Sequence, residues 1–240
     1  MTFLKKTMPL DVLGRALHDY LQGNRKDELL THTGFGGVEE MPVAEFFRQP
    51  IDFPELEHIA LALCDGHVLD VGAGAGSHAL FLQKQGRDVT ALERSPLACE
   101  VMRARGVKQV VMADFFAYAD GRYDTLLFLM NGIGVAGNIE GLKKLLNHCK
   151  TLLAPGGQLL FDSSDITYLY ADGAVDRPAG YYGEIRYQYA YKGKRSAPFD
   201  WLFVDQDTLI GIARPLGWVV QVLYEDGHDQ YLVRMELQHT

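Results

Sequence analysis

Apolar positions along the chain follow two rhythms. Short runs rich in Val, Leu and Phe, without strict polar alternation, occur at HVLDV (67–71), DVTALE (88–93), QVVMAD (109–114), DTLLFLM (124–130) and QLLFDSS (158–164). A strand reads this way when both faces of its sheet are covered. Between these runs the spacing changes to three and four residues. Leu142, Leu145, Leu146, Cys149, Leu152 and Leu153 share one face of a predicted helix, which APGG ends. Ser95 and Pro96 predict the cap and first residue of another helix, and Gly106 predicts its close. Strand, helix and strand repeat from His67 to Ser164, which predicts an α/β fold with a doubly wound, mostly parallel sheet and helices on both faces.

Both ends depart from that rhythm. Before His67 come a helical pattern near Leu10 to Leu21, a glycine-containing loop THTGFGGVEEMP (31–42) and a second helix near Pro54 to Cys64. Residues 1–66 therefore read as a helical N-terminal extension placed to act as a lid, ahead of a domain over 67–240. Within that domain a tyrosine-rich insertion lies near 165–203, where EIRYQYAYKGKRSAPFDWLFV predicts a hairpin. Its Tyr187, Tyr189 and Tyr191 alternate and so share one strand face, where they pack or wall a pocket. A helix near Gln206 to Arg214 follows, and GWVVQVLYEDGHDQYLVRMEL reads as two strands joined by an Asp-Gly turn.

The stretch HVLDVGAGAGSHALFL carries the first chemistry. A strand that passes through glycines into a helix presents free backbone N–H groups and the positive end of a dipole, which favours a ligand with negative charge. A dinucleotide fingerprint wants G-x-G-x-x-G, the third glycine allowing close packing of helix on strand. Here Gly72, Gly74 and Gly76 alternate around Ala73, and Ser77 stands at the third dinucleotide position. Asp70, just ahead of the loop, suits a cationic amino group, so the turn reads as built for a zwitterion. Glu93 ends the second strand about twenty residues past the loop, the offset at which a carboxylate takes both hydroxyls of a ribose. Asp114 ends the third strand before Phe115 and Phe116, an arrangement for receiving an exocyclic amine beside an aromatic ring, or for capping a turn.

Composition narrows the partners. The 240 residues carry a formal charge of −8 with 48% hydrophobic and 22% charged residues, an ordinary globular composition whose average field repels polyphosphate. Nucleic acid is not the expected partner, since no basic patch stands out. No apolar run reaches membrane-spanning length and the N-terminal stretch lacks the core of a secretory signal, so the expected location is the cytoplasm. Cys64, Cys99 and Cys149 are odd in number and scattered, matching neither a disulfide framework nor paired metal ligands. His32 and His78 stand alone, and no metal site is expected.

Taken together, VLDVGAGAGSHALFL, VTALERSP, VVMADFF and LLAPGGQLLFD resemble the class I S-adenosylmethionine-dependent methyltransferases. The resemblance covers roughly His67 to Ser164, with an echo in ARPLGW and the final hairpin. It implies a Rossmann-like sheet of seven strands that ends in an antiparallel pair. It also implies S-adenosylmethionine as cofactor, with S-adenosylhomocysteine as product. The methionine part falls to Asp70, Gly72, Ala73, Gly74 and Gly76, the ribose to Glu93 with Arg94 beside it, and adenine to Asp114 with Phe115. The fourth strand ends in FLMNGIGVAG and lacks the Asn/Asp-Pro-Pro-aromatic signature of members that methylate nucleobase or glutamine amide nitrogens.

The expected activity is methyl transfer to a small or medium-sized molecule, with oligomeric state left open. Alignment of the acceptor is the main demand, and a base is needed only if a proton must be taken. Asn131, Asp162 and Asp165 are the candidates near the acceptor, with Asn131 also a candidate for the methionine end of the cofactor, and each has a turn or capping role as its competitor. A non-catalytic binder of the same cofactor and, with Ser77 against it, a nicotinamide-dependent oxidoreductase are the alternatives.

Overall fold

The computed structural model describes residues 10–238; the first nine residues, weighed above as the start of a signal, lie outside the described residues. The chain opens with α1 (Val12–Leu21), the hairpin β1 (Leu30–Thr33) and β2 (Val38–Glu40), a one-turn segment Val43–Phe47 and α2 (Glu55–Leu63). The wound part follows as β3 (His67–Val71), α3 (Ser77–Lys84), β4 (Asp88–Glu93), α4 (Pro96–Arg105), β5 (Gln109–Met112), β6 (Tyr123–Phe128), α5 (Ile139–Leu152) and β7 (Leu153–Ser164). The insertion supplies β8 (Glu184–Tyr191), β9 (Lys194–Arg195) and β10 (Phe199–Leu202), and the chain closes with α6 (Gln206–Ala213), β11 (Trp218–Glu225) and β12 (Gln230–Leu237). Among the described residues no helix is long and apolar enough to cross a membrane.

Seven strands form the central sheet in the order β11-β12-β7-β6-β3-β4-β5. β3 to β7 run parallel, while β12 pairs antiparallel with β7 and β11 with β12. Alternate residues of each strand enter opposite cores, which is why the strands read as nearly continuous apolar runs. On one face Leu69, Leu126, Phe128, Leu159 and Phe161 pack with Leu142, Leu145 and Leu146 of α5 and Leu209 of α6. On the other Val68, Ala91, Leu127 and Leu160 pack with Ala60 of α2, Leu82 of α3 and Met102 of α4.

A second, antiparallel sheet departs from expectation. The stretch THTGFGGVEEMP is a hairpin rather than a loop: the Thr33 and Gly37 backbones bond each other at 2.9 Å, and the Gly37 N–H donates to Thr33 Oγ1 at 2.8 Å. Thr31 and Thr33, β-branched and alternating, then pair with Tyr189 and Tyr187 of β8, and the sheet runs β10-β8-β1-β2 with β9 also on β8. The N-terminal extension is thus not wholly helical, because its extended residues find their partner more than 150 positions away. Extension and insertion make one layer, laid across the carboxyl ends of the parallel strands.

One carboxylate fixes that layer to the wound part. Asp11 caps α1 by accepting the Gly14 N–H at 2.9 Å, and its other oxygen accepts the Ser95 hydroxyl at 2.7 Å and the Leu97 N–H at 3.2 Å at the start of α4. Lys192, in the turn after β8, pairs with Asp19 of α1 at 2.7 Å and with Asp27 at 3.2 Å. Replacing Asp11 by Ala removes a shared cap from two helix starts, and urea denaturation should show a loss of about 1–2 kcal/mol, the cost of a good N-cap.

Candidate functional site

At the end of β3 the chain turns through three left-handed glycines, Gly72 (φ +72°), Gly74 (φ +55°) and Gly76 (φ +82°). Such a run strains residues with a Cβ on conformational grounds. Space adds to that at two of them. A Cβ on Gly76 would lie 2.8 Å from Val107 and 2.9 Å from Met102, and one on Gly74 3.2 Å from the Phe46 ring. At Gly72 nothing stands within 4 Å, and the residue is exposed. The loop is held to the second strand, since Gly72 N–H and Ala73 N–H both donate to the Leu92 carbonyl, at 2.9 and 3.2 Å.

The acids divide by burial. Asp70 is 2% exposed, and its Oδ2 has no hydrogen-bond partner among the described residues. Burial pushes its carboxyl up to about 6, with the His78 imidazole and the Ala79 N–H offsetting part of the cost. Glu93 is also buried; its Oε2 accepts the Gly74 N–H at 3.1 Å and its Oε1 the Ser95 N–H at 2.8 Å. Its carboxyl is raised by burial, against which those two bonds pull. Both oxygens keep a free lone pair. Asp114 is exposed and caps the Phe116 N–H at 2.9 Å, leaving its second oxygen open. Arg94 is exposed beside Glu93.

Phe115 lies elsewhere than the pattern implied. It is 5% exposed, its ring edge-on to Phe128 at 5.1 Å and to His148 at 5.0 Å, so it belongs to the core. The one-turn segment at 115–117 rotates it inward and leaves Phe116, 40% exposed, as the available ring.

The candidates near the acceptor also separate. Asp165 is consumed by structure, its Oδ1 accepting from the Thr167 N–H at 2.9 Å, the Thr167 hydroxyl at 2.6 Å and the Tyr182 hydroxyl at 2.7 Å. Asn131 and Asp162 are joined. Asn131 sits in a left-handed conformation (φ 52°), its N–H donates to Asp162 Oδ2 at 2.9 Å and its amide to the Leu202 carbonyl of β10 at 3.1 Å. Gln230 of β12 donates to the same Asp162 oxygen at 2.9 Å. Asp162 is 1% exposed, pushed up to about 6 by burial, and its Oδ1 and the Asn131 Oδ1 both lack partners among the described residues.

Several residues of the site carry no motif. Ser77, at the third dinucleotide position, donates its hydroxyl to the Phe46 carbonyl at 2.8 Å, and Arg105 bonds the Ala75 carbonyl at 2.6 Å and Ser77 Oγ at 3.1 Å. Below them Glu57 receives Arg48 at 2.6 Å and His78 at 2.8 Å, a nearly buried cluster in which the carboxyl stays lowered despite desolvation. These contacts strap residues 43–48 over the glycine loop. The only trace in the sequence is that Ser77 is not glycine.

A methyltransferase-domain profile matches residues 69–161. Of solved structures, the chain is similar to an S-adenosylmethionine-dependent methyltransferase from Bacteroides fragilis in complex with S-adenosyl-L-homocysteine, 40% identical, with 95% of this chain and 94% of that one covered and a TM-score of 0.87. Among curated proteins it is similar to a tRNA1(Val) (adenine(37)-N6)-methyltransferase from Aliivibrio fischeri, 30% identical over 117 residues, covering 39% of this chain. A ubiquinone biosynthesis O-methyltransferase from Xanthomonas euvesicatoria pv. vesicatoria is 26% identical over 122 residues, covering 47% of this chain. The chain spans about half the length of these curated relatives, 50% and 49%.

A folded-state value of about 6 for Asp162, above the roughly 3.9 of a free aspartate, means that the folded chain holds this proton more tightly than the unfolded one. The stability it contributes is full below about pH 4 and lost as pH rises through about 6, on the order of 3 kcal/mol. Asp162→Asn should therefore melt several degrees above the parent at pH 8, and thermal scans at pH 4 should show that gain gone.

Proposed function

We propose that this chain, which belongs to the class I S-adenosylmethionine-dependent methyltransferases, transfers a methyl group to a small or medium-sized molecule at the crevice over β3, β4 and β6. The observation that carries this reading is the unpartnered Asp70 oxygen buried beside an open left-handed Gly72. A buried acceptor without a donor costs about 1–3 kcal/mol, and an ammonium group removes that cost. The donor set fits the cofactor: Asp70 with Gly72, Ala73, Gly74 and Gly76 for its amino-acid part, Glu93 for ribose hydroxyls, and Asp114 for the adenine amine. Phe116 replaces Phe115 as the ring beside Asp114, and Arg94 stands at the outer edge.

When bound, S-adenosylmethionine supplies a methyl group on a positively charged sulfur. The chain's own work is placement. Glu93 sets the loop through the Gly74 N–H, and the strap of residues 43–48 covers it through Ser77 and Arg105. Asn131 ties the end of β6 to β10 and the end of β7 to the same point. The single layer made by extension and insertion lies across this junction and acts as the lid.

A small acceptor is favoured over a nucleic acid by the charge of −8 and the acids around the crevice. Three buried, unpaired thiols support a reducing, cytoplasmic setting.

Calorimetric titration with S-adenosylmethionine, S-adenosylhomocysteine, NAD and NADP tests the reading. The first two should bind saturably, at least tenfold more weakly in Glu93→Ala and several-fold more weakly in Asp114→Ala, an exposed position where folding is not at stake. Binding of a nicotinamide nucleotide in their place would overturn it.

A further inference from the structure

The cover of the crevice is aromatic on its inner face. Tyr187 and Tyr189 of β8 share that face with Phe199 and Trp201 of β10, with ring centroids 6.1 Å apart for Tyr187 and Phe199, 4.9 Å for Tyr189 and Phe199, and 6.2 Å for Phe199 and Trp201. Its two ends are pinned. Trp201 lies against Gly134 just beyond β6, so closely that a Cβ there would collide with the indole. Tyr189 packs with Ala75 and Ala98 beside the end of β4, within the field of Glu93. The rings between these pins therefore stand across the carboxyl end of β3, over the glycine loop.

The unpartnered hydrogen-bonding capacity at the floor beneath this face is one-sided. The charged groups whose fields reach its two tyrosines are Glu39 at Tyr187 and Glu93 at Tyr189, with Arg94 the opposing cation at Tyr189. Thr31, opposite Tyr189 in register and 6% exposed, has a hydroxyl without a partner among the described residues, able to donate or accept. Asp162, 1% exposed, and Asn131, bonded to it, each keep one unpartnered acceptor oxygen at the floor. With Asp70 met by its ammonium, the two unpartnered groups left at this floor, Asp162 Oδ1 and Asn131 Oδ1, are both acceptors.

Leaving such acceptors unmatched is costly, and more so for a charged one. A carboxylate or phosphate acceptor would bring no donor and would add like charge. An alcohol brings one donor. An amine brings two or three and, while protonated, the positive charge that both aromatic faces and a buried carboxylate favour.

Resting on the methyltransferase reading above, we infer that the methyl acceptor is an amine on an apolar or aromatic body, its N–H groups taken by Asp162 Oδ1 and Asn131 Oδ1 and its body packed beneath Tyr187, Phe199 and Trp201. The bound ammonium first gives one N–H proton to the free Asp162 oxygen, from which it passes to water, and this exposes the nitrogen lone pair. Transfer then forms one N–C bond from that lone pair and breaks the S–C bond, whose electrons stay on sulfur, and the product leaves as the methylated ammonium.

The test is binding, with turnover as a second readout. Protein saturated with S-adenosylhomocysteine is titrated with benzylamine, 2-phenylethylamine and tryptamine, each against the matched alcohol and carboxylate. Amines should bind at least tenfold more tightly than their partners. In Asp162→Asn that preference should collapse while S-adenosylhomocysteine affinity holds, and in Tyr187→Leu amine affinity should fall several-fold with the melting temperature little changed. The same amines should take a labelled methyl group from S-adenosylmethionine. Equal or tighter binding of alcohols or carboxylates, no amine binding to the loaded protein, or a preference that survives in Asp162→Asn overturns the inference. Failure of S-adenosylhomocysteine itself to bind would instead overturn the cofactor reading on which it rests.

Discussion

Two backbone N–H groups converge on the carboxylate of Glu93, one from Gly74 in the first loop and one from Ser95 at the head of α4, and the crevice is built outward from that clamp. A buried carboxylate is costly unless donors meet it, and backbone donors meet it only when the loop adopts a single shape. That shape needs left-handed residues at Gly72, Gly74 and Gly76. Ser95 in turn caps α4 through the Ala98 N–H at 3.0 Å and gives its hydroxyl proton to Asp11. One acid at a strand end thus couples the loop, the next helix and, through Ser95, the N-terminal helix.

The carboxyl edge of the sheet concentrates acids that the rest of the fold would avoid. Asp70, Glu93 and Asp162 are all nine-tenths buried or more, and burial raises all three. Their satisfaction is uneven. Glu93 is bonded on both oxygens, whereas Asp70 and Asp162 each keep one empty oxygen. Destabilising groups retained at one edge are the pattern of a site whose ligands complete it. Asp165, three residues past Asp162, is by contrast spent on the turn that begins the insertion.

The cover has a different logic. Strands β1 and β2 come from before the wound part and β8 and β10 from after it, and neither pair forms more than a hairpin without the other. Together they lay an aromatic face over the loop, while Phe46 and its strap, held by Ser77, Arg105 and the Arg48, Glu57 and His78 cluster, close the flank. Ser77, which in the sequence only broke a dinucleotide fingerprint, is the bond between the first helix of the site and this strap.

How much of this was legible follows from the range of each interaction. The strands from His67 to Ser164, the cap at Ser95, the helix end at Gly106 and the terminal hairpin are set by local periodicity and by backbone demands of single residues, and they were readable from the chain. So were the glycine loop and the strand-end acids, because a strand-to-helix turn places them by spacing alone. The rest depended on distant partners. The stretch 31–42 reads as a loop until β8 supplies its neighbour, and Phe115 and Phe116 exchange roles because a one-turn segment decides which ring faces the core. Asp162 and Asp165 look alike in sequence, and only their surroundings separate a free buried oxygen from a spent one. Sequence by itself determined the sheet, its winding and the residues at its edge, since those rest on rules of a few residues' span. Tertiary structure alone decided which acids remain unsatisfied and which aromatic face covers them, since hydrogen-bond satisfaction and burial belong to contacts that no local pattern records.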